Sequence, residues 1–204
     1  MTRPLRSLPL ILCLALLGAC TTSGTGPPIP AAWTEHRERL DTLERWEARG
    51  KLALRSSTGS ESASIVWRQA GADTEVRMSG PLGVAPTLLT SDGILLTIDR
   101  GGAQQVLDLE NPAAVRAATG WHFPVTALPH WLKGTPDPDL PLEDLALDDA
   151  TGVATGFTQA NWTIAYESHG QFGAYSLPTR LVVSGEDARA TVIVREWRPE
   201  PEDD

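Results

Sequence analysis

The feature that most constrains the fold is a series of short segments in which apolar and polar residues alternate. They begin near residue 50; Ala63, Ile65 and Trp67, for example, alternate with serines and an arginine. A period of two is typical of strands that bury one face. Turn signals such as Ser91-Asp92-Gly93 separate the segments. About eleven strands are predicted, near residues 52, 65, 76, 88, 96, 106, 145, 156, 164, 181 and 193.

Helical patterns interrupt this series in three places. The spacing of Trp33, Leu40, Leu43 and Trp46 predicts a helix over 33–49 that ends at Gly50. Shorter helices are predicted over 112–119 and 124–132. The chain is therefore expected to be mainly β, with one antiparallel sheet rolled into an open, incomplete barrel and a helical lid. Its inner face would be either a packed core or a hydrophobic cavity, and alternation alone does not decide between them.

The N-terminus indicates export and lipid attachment. Arg3 and Arg6 precede an apolar run over 8–19 that is too short to span a bilayer and is typical of a signal peptide. The run ends in Leu17-Gly18-Ala19-Cys20, which resembles the bacterial lipobox. This resemblance implies a signal peptide over 1–19, and N-acyl and S-diacylglycerol groups on Cys20. In enterobacterial-type sorting, an aspartate directly after the cysteine implies retention in the inner membrane. Thr21 stands at that position, so the resemblance favours the outer membrane. The alternative is an ordinary signal peptide beside a chance cysteine.

The mature chain divides into a tether over 20–32, a single domain over 33–198 and an acidic tail over 199–204. The formal net charge is −9, and it becomes −11 once the signal peptide and its two arginines are removed. This balance disfavours nucleic acid as a partner and predicts no polybasic grip on anionic lipid. Cys20 would be the only remaining cysteine, so no internal disulfide is expected.

No motif for catalysis or cofactor binding is found. The four histidines are scattered, with no metal-ligand spacing, and the acidic clusters lie in turn-like stretches. The chain contains no nucleophile elbow, phosphate-binding loop or dinucleotide fingerprint. The sequence therefore predicts no metal, no catalytic residue, no enzyme activity, and no cofactor beyond the acyl groups on Cys20.

One turn carries an unexpected leucine. Between the strands near 78 and 88, the segment 79–86 is rich in Gly and Pro, yet it places Leu82 near its tip. Leu82 either folds back onto the barrel or acts as a finger that touches the membrane. Burial of one leucine contributes about 1.5–3 kcal/mol, which supports local contact but not anchoring.

Taken together, these segments resemble the LolB family of outer-membrane lipoprotein receptors. The similar segments are 45–54 (RWEARGKLAL), 62–67 (SASIVW), 79–83 (SGPLG), 128–134 (LPHWLKG), 161–166 (NWTIAY), 177–178 (LP) and 194–197 (VREW). Two positions depart from the family pattern: Asn161, where the family often has Gly, and Lys133, where Arg is common.

The resemblance implies a receptor function and a set of site residues. A carrier of the LolA type would deliver lipoproteins to a monomer at the outer membrane, which would hold their acyl chains in the cavity and insert them among phospholipids. Gly80, Pro81, Leu82 and Gly83 would form the insertion loop. Strand alternation and the helical segments predict a cavity and lid formed by Ala63, Ile65, Trp67, Val76, Met78, Trp121, Phe123, Leu128, Trp131 and Leu132.

Two alternatives stay open at this point. One is a structural outer-membrane lipoprotein whose β-domain has a solid core. The other is a soluble carrier, which the lipobox disfavours because an anchored protein cannot shuttle.

Overall fold

The computed structural model describes residues 30–57, 59–80, 86–120 and 122–199, and within them eleven antiparallel strands form one sheet. The strands are β1 (Arg45–Ser56), β2 (Gly59–Ala70), β3 (Asp73–Ser79), β4 (Thr87–Ser91), β5 (Leu95–Arg100), β6 (Ala103–Asp108), β7 (Glu143–Leu147), β8 (Ala154–Gln159), β9 (Trp162–Phe172), β10 (Tyr175–Ser184) and β11 (Ala188–Pro199). Helix α1 (Ala31–Asp41) precedes them. Helix α2 (Pro112–Thr119), a 3-10 turn (Val125–Ala127) and helix α3 (Leu128–Lys133) lie between β6 and β7.

The strand order confirms the prediction of an open barrel. The order is β6-β5-β4-β3-β2-β1-β11-β10-β9-β8-β7, so the first and last strands along the chain pair at the centre. The two edges, β6 and β7, do not pair with each other in the described part of the sheet. The chain crosses from one edge to the other through α2 and α3. All eleven predicted strand positions fall inside strands.

The long helix predicted over 33–49 is wrong in its second half. Helix α1 ends at Asp41, and Arg45 already belongs to β1. Leu43 and Trp46 are fully buried although they are not helical, because Leu43 reaches the interior in the connection after α1 and Trp46 reaches it on β1. The backbone amide of Gly71 donates to the carbonyl of Glu44 and fixes the connection after α1 against the β2–β3 connection. Tertiary pairing of β1 on both sides therefore outweighs the helical spacing.

Gly50 is likewise a strand residue and not a helix stop. Beside it, β11 has a bulge: Arg49 pairs with Glu196, whereas Gly50 pairs with Val194. A Cβ atom on Gly50 would lie 2.0 Å from the carbonyl oxygen of Ile193, so the backbones approach too closely for any side chain. The bulge lets Val194 and Trp197, three residues apart, both face the interior.

The helices between the edge strands are partly as predicted. Helix α2 matches the predicted 112–119, with the Asn111 side chain accepting from the amide of Ala114 at its start and Gly120 at its end. The helix predicted over 124–132 is divided into the 3-10 turn and α3. None of the described helices is long and apolar enough to cross a membrane.

The sheet has two faces of different character. The helices pack against one of them, called here the inner face, which carries the large buried cluster that includes Trp46, Trp131 and Trp197. A smaller cluster lies beneath α2, around Leu96, Ile98 and Leu107 on β5 and β6. The opposite, outer face carries most of the charged strand residues, because side chains alternate between the faces.

The sheet also has two ends. Helix α1 packs at the proximal end, where Ala32 contacts Gly152 in the β7–β8 connection. The distal end carries the β1–β2, β5–β6, β8–β9 and β10–β11 turns. The β3–β4 connection, which includes the predicted insertion loop, joins the sheet at the distal end as well.

Candidate functional site

An apolar surface covers the inner face toward the distal end. Leu52 on β1 lies directly opposite Ala63 on β2 and Val192 on β11, so these three side chains share that face. Ile65 lies opposite Met78 in the same way. The surface is only half covered. Its half-buried members are Leu52, Leu54, Ala63, Trp67, Met78, Ala190 and Val192.

The structure places all five predicted cavity residues on this inner face. Ile65 and Val76 are buried, with 5% and 7% of their surface exposed. Ala63, Trp67 and Met78 are half-buried. Their alignment across β2 and β3 follows from the register, in which Trp67 pairs with Val76. Whether they line an acyl-chain cavity stays a prediction.

Sequence reasoning missed the part of this surface that β1 and β11 supply. Leu52 and Leu54 on β1 face Val192 and Ala190 on β11. Alternation over 188–194 was a usable signal for β11. The incorrect helix over 33–49 obscured the first part of β1, and only the strand order shows that β1 and β11 are neighbours.

A polar and aromatic group closes the proximal end of the apolar surface. The Trp67 indole donates to Oε1 of Gln69 at 3.0 Å, and the same oxygen accepts from the hydroxyl of Thr74 at 2.8 Å. The ring of Trp46 lies 5.8 Å from that of Trp67 and 5.3 Å from that of Trp197. This group therefore bounds the apolar surface at its proximal end, and the half-buried residues of β1, β2 and β11 continue from it toward the distal end.

Among the predicted lid residues, Trp131 and Leu132 lie inside the large core cluster. They are 1% and 3% exposed. The Trp131 indole donates to Oε1 of Gln159 at 2.9 Å, and its carbonyl accepts from the Tyr166 hydroxyl at 2.7 Å. Both bonds fix α3 to β8 and β9. We therefore interpret α3 as a fixed part of the barrel that holds the remainder of the lid in place.

Phe123 and Leu128 lie nearer the surface. Both are half-buried and pack against the large core cluster. The ring of Phe123 meets Trp162, at the distal start of β9, edge-on at 6.1 Å. The chain between α2 and α3 thus reaches the distal end of the sheet before it returns to the proximal end. Trp121, Pro81, Leu82, Gly83 and Cys20 lie outside the described residues, while Gly80 directly follows β3.

Lys133 connects the lid segment to α1. It is 8% exposed, and its ammonium group donates to the carbonyls of Leu40 and Leu43 at 3.2 and 3.3 Å, at the C-terminal end of α1. A cation is favourable there because it satisfies the last carbonyls of the helix. Burial lowers the pKa of Lys133, while Asp41 and Glu44 act in the opposite direction.

Replacing Lys133 with Met should lower the free energy of unfolding by about 1–3 kcal/mol, because the carbonyl of Leu43 loses the ammonium donor while that of Leu40 still accepts from the amide of Leu43. Lys133→Arg should retain most of the stability, since a guanidinium group can donate to both oxygens. Denaturant unfolding of the two variants measures the difference. Equal losses for Met and Arg would show that the side-chain shape matters and the hydrogen bonds do not.

Two clefts lie at the proximal end, and their linings are mixed. One, of about 370 Å³, is bordered by His36, Arg39 and Glu35 of α1 and by Gln171 of β9. The other, of about 360 Å³, lies between α3 and the turns that follow β2 and β4. Across the described ranges, no group of three His, Cys, Asp or Glu residues could hold a metal ion. The polar linings make neither cleft suited to an acyl chain.

The buried histidines should make stability depend on pH. Burial lowers the pKa of His36, His130 and His169 below the ordinary 6.5, and the nearby His169 lowers the pKa of His36 further. The unfolded chain therefore binds more protons than the folded one as pH falls through about 6.5. We expect the unfolding midpoint to fall steadily from pH 7.5 to 5.5. A His36→Gln variant should show a shallower fall, and an equal fall would exclude His36 as a contributor.

Comparison with known families identifies the chain. A model of the family described as "Outer membrane lipoprotein LolB" matches residues 44–197. The chain belongs to the LolB family. The outer-membrane lipoprotein LolB of Stutzerimonas stutzeri is 34% identical over 92% of this chain and 93% of its own length. The outer-membrane lipoprotein LolB of Chromohalobacter salexigens is 32% identical over 92% of this chain and 88% of its own length.

Solved structures support the same fold. A LolA superfamily protein from Nitrosomonas europaea superposes with a TM-score of 0.53 at 10% identity, covering 83% of this chain and 94% of its own. A DUF1329 family protein from Desulfovibrio piger superposes with a TM-score of 0.52 at 9% identity, and the match covers 85% of this chain and 93% of that protein. At such identities the likeness concerns the fold alone. It confirms that this LolB-family chain shares its open barrel with LolA-type proteins.

The structure also explains one of the two departures from the LolB pattern. Asn161, where the family often has Gly, has a φ of 63° in the two-residue β8–β9 turn, and Ala160 beside it has a φ of 50°. Such a turn favours glycine or asparagine at left-handed positions. Asn161 therefore preserves the hairpin that carries Trp162.

Proposed function

We propose that this LolB-family protein accepts lipoproteins from a soluble carrier and inserts them into the membrane to which it is attached. The observation that carries the proposal is the apolar inner face, whose residues toward the distal end are only half-buried. A solid-core lipoprotein would have little reason to leave Leu52, Ala63 and Met78 only partly covered. Acyl chains of the cargo would lie along these side chains.

The energetics of acyl chains require such a surface. A chain of roughly fifteen methylenes costs about 12 kcal/mol when it is exposed to water, at about 0.8 kcal/mol per methylene. Three chains therefore cost on the order of 36 kcal/mol. A lipoprotein can leave its carrier only if the receiving protein offers an apolar surface that is continuous with the carrier's cavity.

Transfer would proceed down a gradient of affinity. The sequence contains no phosphate-binding loop that would indicate nucleotide use. Binding to this receptor should therefore be tighter than to the carrier and weaker than to the bilayer. Apolar contacts without polar recognition suit that order, because they accept acyl chains of different cargo proteins. No covalent chemistry is needed, so the protein would act without cofactors and without enzyme activity.

The predicted N-terminus places this function at the outer membrane. Acyl groups on Cys20 would anchor the chain, and residues 20–32 would connect the anchor to the domain. The domain would then face the periplasm, where a LolA-type carrier can reach it, and one copy would suffice for transfer. Leu82 would contact the phospholipids that receive the cargo.

The test is transfer of an acylated lipoprotein from a loaded LolA-type carrier to a Cys20→Ala chain exported with a cleavable signal peptide. Stoichiometric transfer without nucleotide is expected. Ala63→Glu, which places a charge on the inner face, should reduce acceptance at least tenfold. Ala53→Glu is the matched control, because Ala53 is exposed on the outer face of the neighbouring strand.

Each outcome of this transfer assay has a distinct meaning. Equal transfer to both variants would exclude the inner face as the acyl site. No transfer from a competent carrier to the unaltered domain would favour a structural lipoprotein with a solid core.

A further inference from the structure

The charges of this acidic protein are not evenly distributed. The whole chain has a net charge of −9, yet the outer face of five central strands is basic. By register and alternation, nine of the 17 lysines and arginines point to that face, against four carboxylates on the same strands. The nine are Arg45, Arg49, Lys51, Arg55, Arg68, Arg77, Arg180, Arg189 and Arg198. The expectation of no polybasic grip on anionic lipid used net charge alone and did not take this face into account.

Toward the proximal end these cations are paired. The Glu47 side chain is only 3% exposed. Its carboxylate forms ion pairs with Arg49 at 2.5 Å, Arg68 at 2.7 Å and Arg198 at 3.5 Å. Glu75 contacts Arg77 at 3.0 Å as well as Arg68. The carboxylates of the outer face thus pair with Arg49, Arg68, Arg77 and Arg198 and offset part of their charge.

Toward the distal end the cations lack such partners. Lys51, Arg55 and Arg189 are exposed, and no carboxylate of the described residues lies within 4.0 Å of their charged groups. Arg55 and Arg189 face each other directly across β1 and β11, which is an unfavourable pairing of like charges. We call these three residues the distal basic surface.

On the outer face itself, the neighbours of the distal basic surface are serines. The exposed acids at this end, Glu61, Glu186 and Asp187, lie on the inner face of β2 and in the β10–β11 turn. Ser64 lies beside Lys51 and Ser60 beside Arg55 in the β1–β2 register, with Ser62 between them on the same face. All three serines are exposed. Short hydroxyl side chains leave room above the sheet for a ligand, and they can donate hydrogen bonds to anionic oxygens.

We propose that the distal basic surface binds the phosphate groups of anionic phospholipids when the insertion loop meets the membrane. The β3 strand next to these serines ends at Ser79, which lies opposite Ser64 and leads directly into the segment with Leu82. The basic residues therefore share one end of the sheet with the end of β3, from which the predicted membrane-touching segment continues. The inference rests on the proposed membrane attachment, and it does not depend on where acyl chains bind.

The attachment leaves the distal end free to reach the membrane. Residues 20–30 span up to about 35 Å when fully extended. Helix α1, where the described chain begins, lies at the proximal end, and β1 with its twelve residues is roughly 40 Å long. An anchor at Cys20 therefore permits the outer face to lie along the bilayer.

The test uses the full lipidated chain in vesicles of phosphatidylethanolamine with or without phosphatidylglycerol. Because Cys20 is acylated, a Ser62→Cys substitution provides the only free thiol for a fluorophore. Headgroup-labelled quencher lipids should quench the probe in phosphatidylglycerol vesicles. Combined Lys51→Gln, Arg55→Gln and Arg189→Gln substitutions should weaken this contact about 100-fold. Quenching should also disappear in 1 M salt, where the Debye length is about 3 Å.

The matched control replaces three exposed arginines outside this surface with glutamine: Arg37, Arg39 and Arg116. This variant should leave quenching unchanged. Quenching that survives the first triple substitution, or that is equally strong without phosphatidylglycerol, would overturn the proposal. So would quenching that requires the LolA-type carrier, since the surface would then serve a protein. Cargo acceptance should be normal in both triple variants, which separates a failure here from a failure of the receptor function.

Discussion

A Leu82→Glu variant should accept lipoproteins from the carrier at the normal rate and fail to insert them into membranes. The expected effect is a nearly complete loss of insertion, because the carboxylate must enter the apolar edge of the bilayer, where charged groups are costly. Leucine at the same position contributes about 1.5–3 kcal/mol when it is buried. The segment that carries it leaves the sheet at the distal end, next to the half-buried part of the apolar inner face.

Two assays on one preparation separate the steps. Transfer from carrier to receptor measures acceptance, and transfer from receptor to vesicles measures insertion. Leu82→Met is the matched control, since it keeps an apolar side chain of similar size and should insert cargo normally. Normal insertion by Leu82→Glu would mean that the leucine only packs against the barrel. Loss of both steps would indicate a folding defect, which thermal unfolding of the same sample would reveal.

The periodic parts of the fold could be predicted from the sequence because each strand carries its own evidence. Alternation, turn signals and β-rich runs gave the strand positions, and the predicted bounds of α2, 112–119, agree with its caps at Asn111 and Gly120. Alternation failed before residue 50, where Leu43 and Trp46 reach the core through a turn and a strand. A helical spacing over four residues cannot be distinguished from that arrangement without knowing that β1 pairs on both sides.

The candidate site was predictable only in part, because it depends on contacts between distant strands. Ala63 and Met78 could be assigned from local alternation. Leu52 and Val192 required the pairing of the first strand with the last, 140 residues apart along the chain. The distal basic surface depends on the same pairing, since Arg55 and Arg189 meet only there. Net charge averages over both faces and conceals such a surface.

The pairing of β1 with β11 has a structural requirement at one residue. Gly50→Ala should lower the free energy of unfolding by at least about 3 kcal/mol, because the new Cβ would lie 2.0 Å from the carbonyl oxygen of Ile193. Relief requires the two strands to separate at the bulge. That movement would displace Val194 and Trp197, which support the inner face at its centre. Denaturant unfolding measures the loss of stability.

Gly71→Ala is the informative control for this prediction. Gly71 has a φ of 60°, and a Cβ atom there would meet nothing within 4 Å. Its substitution therefore carries only the cost of a left-handed conformation, about 1–2 kcal/mol. If Gly50→Ala lowers the free energy of unfolding no more than Gly71→Ala does, the close approach of the two backbones at the bulge does not exclude a side chain. If it costs more and also reduces cargo acceptance in the molecules that stay folded, the bulge aligns the apolar surface as well as the sheet.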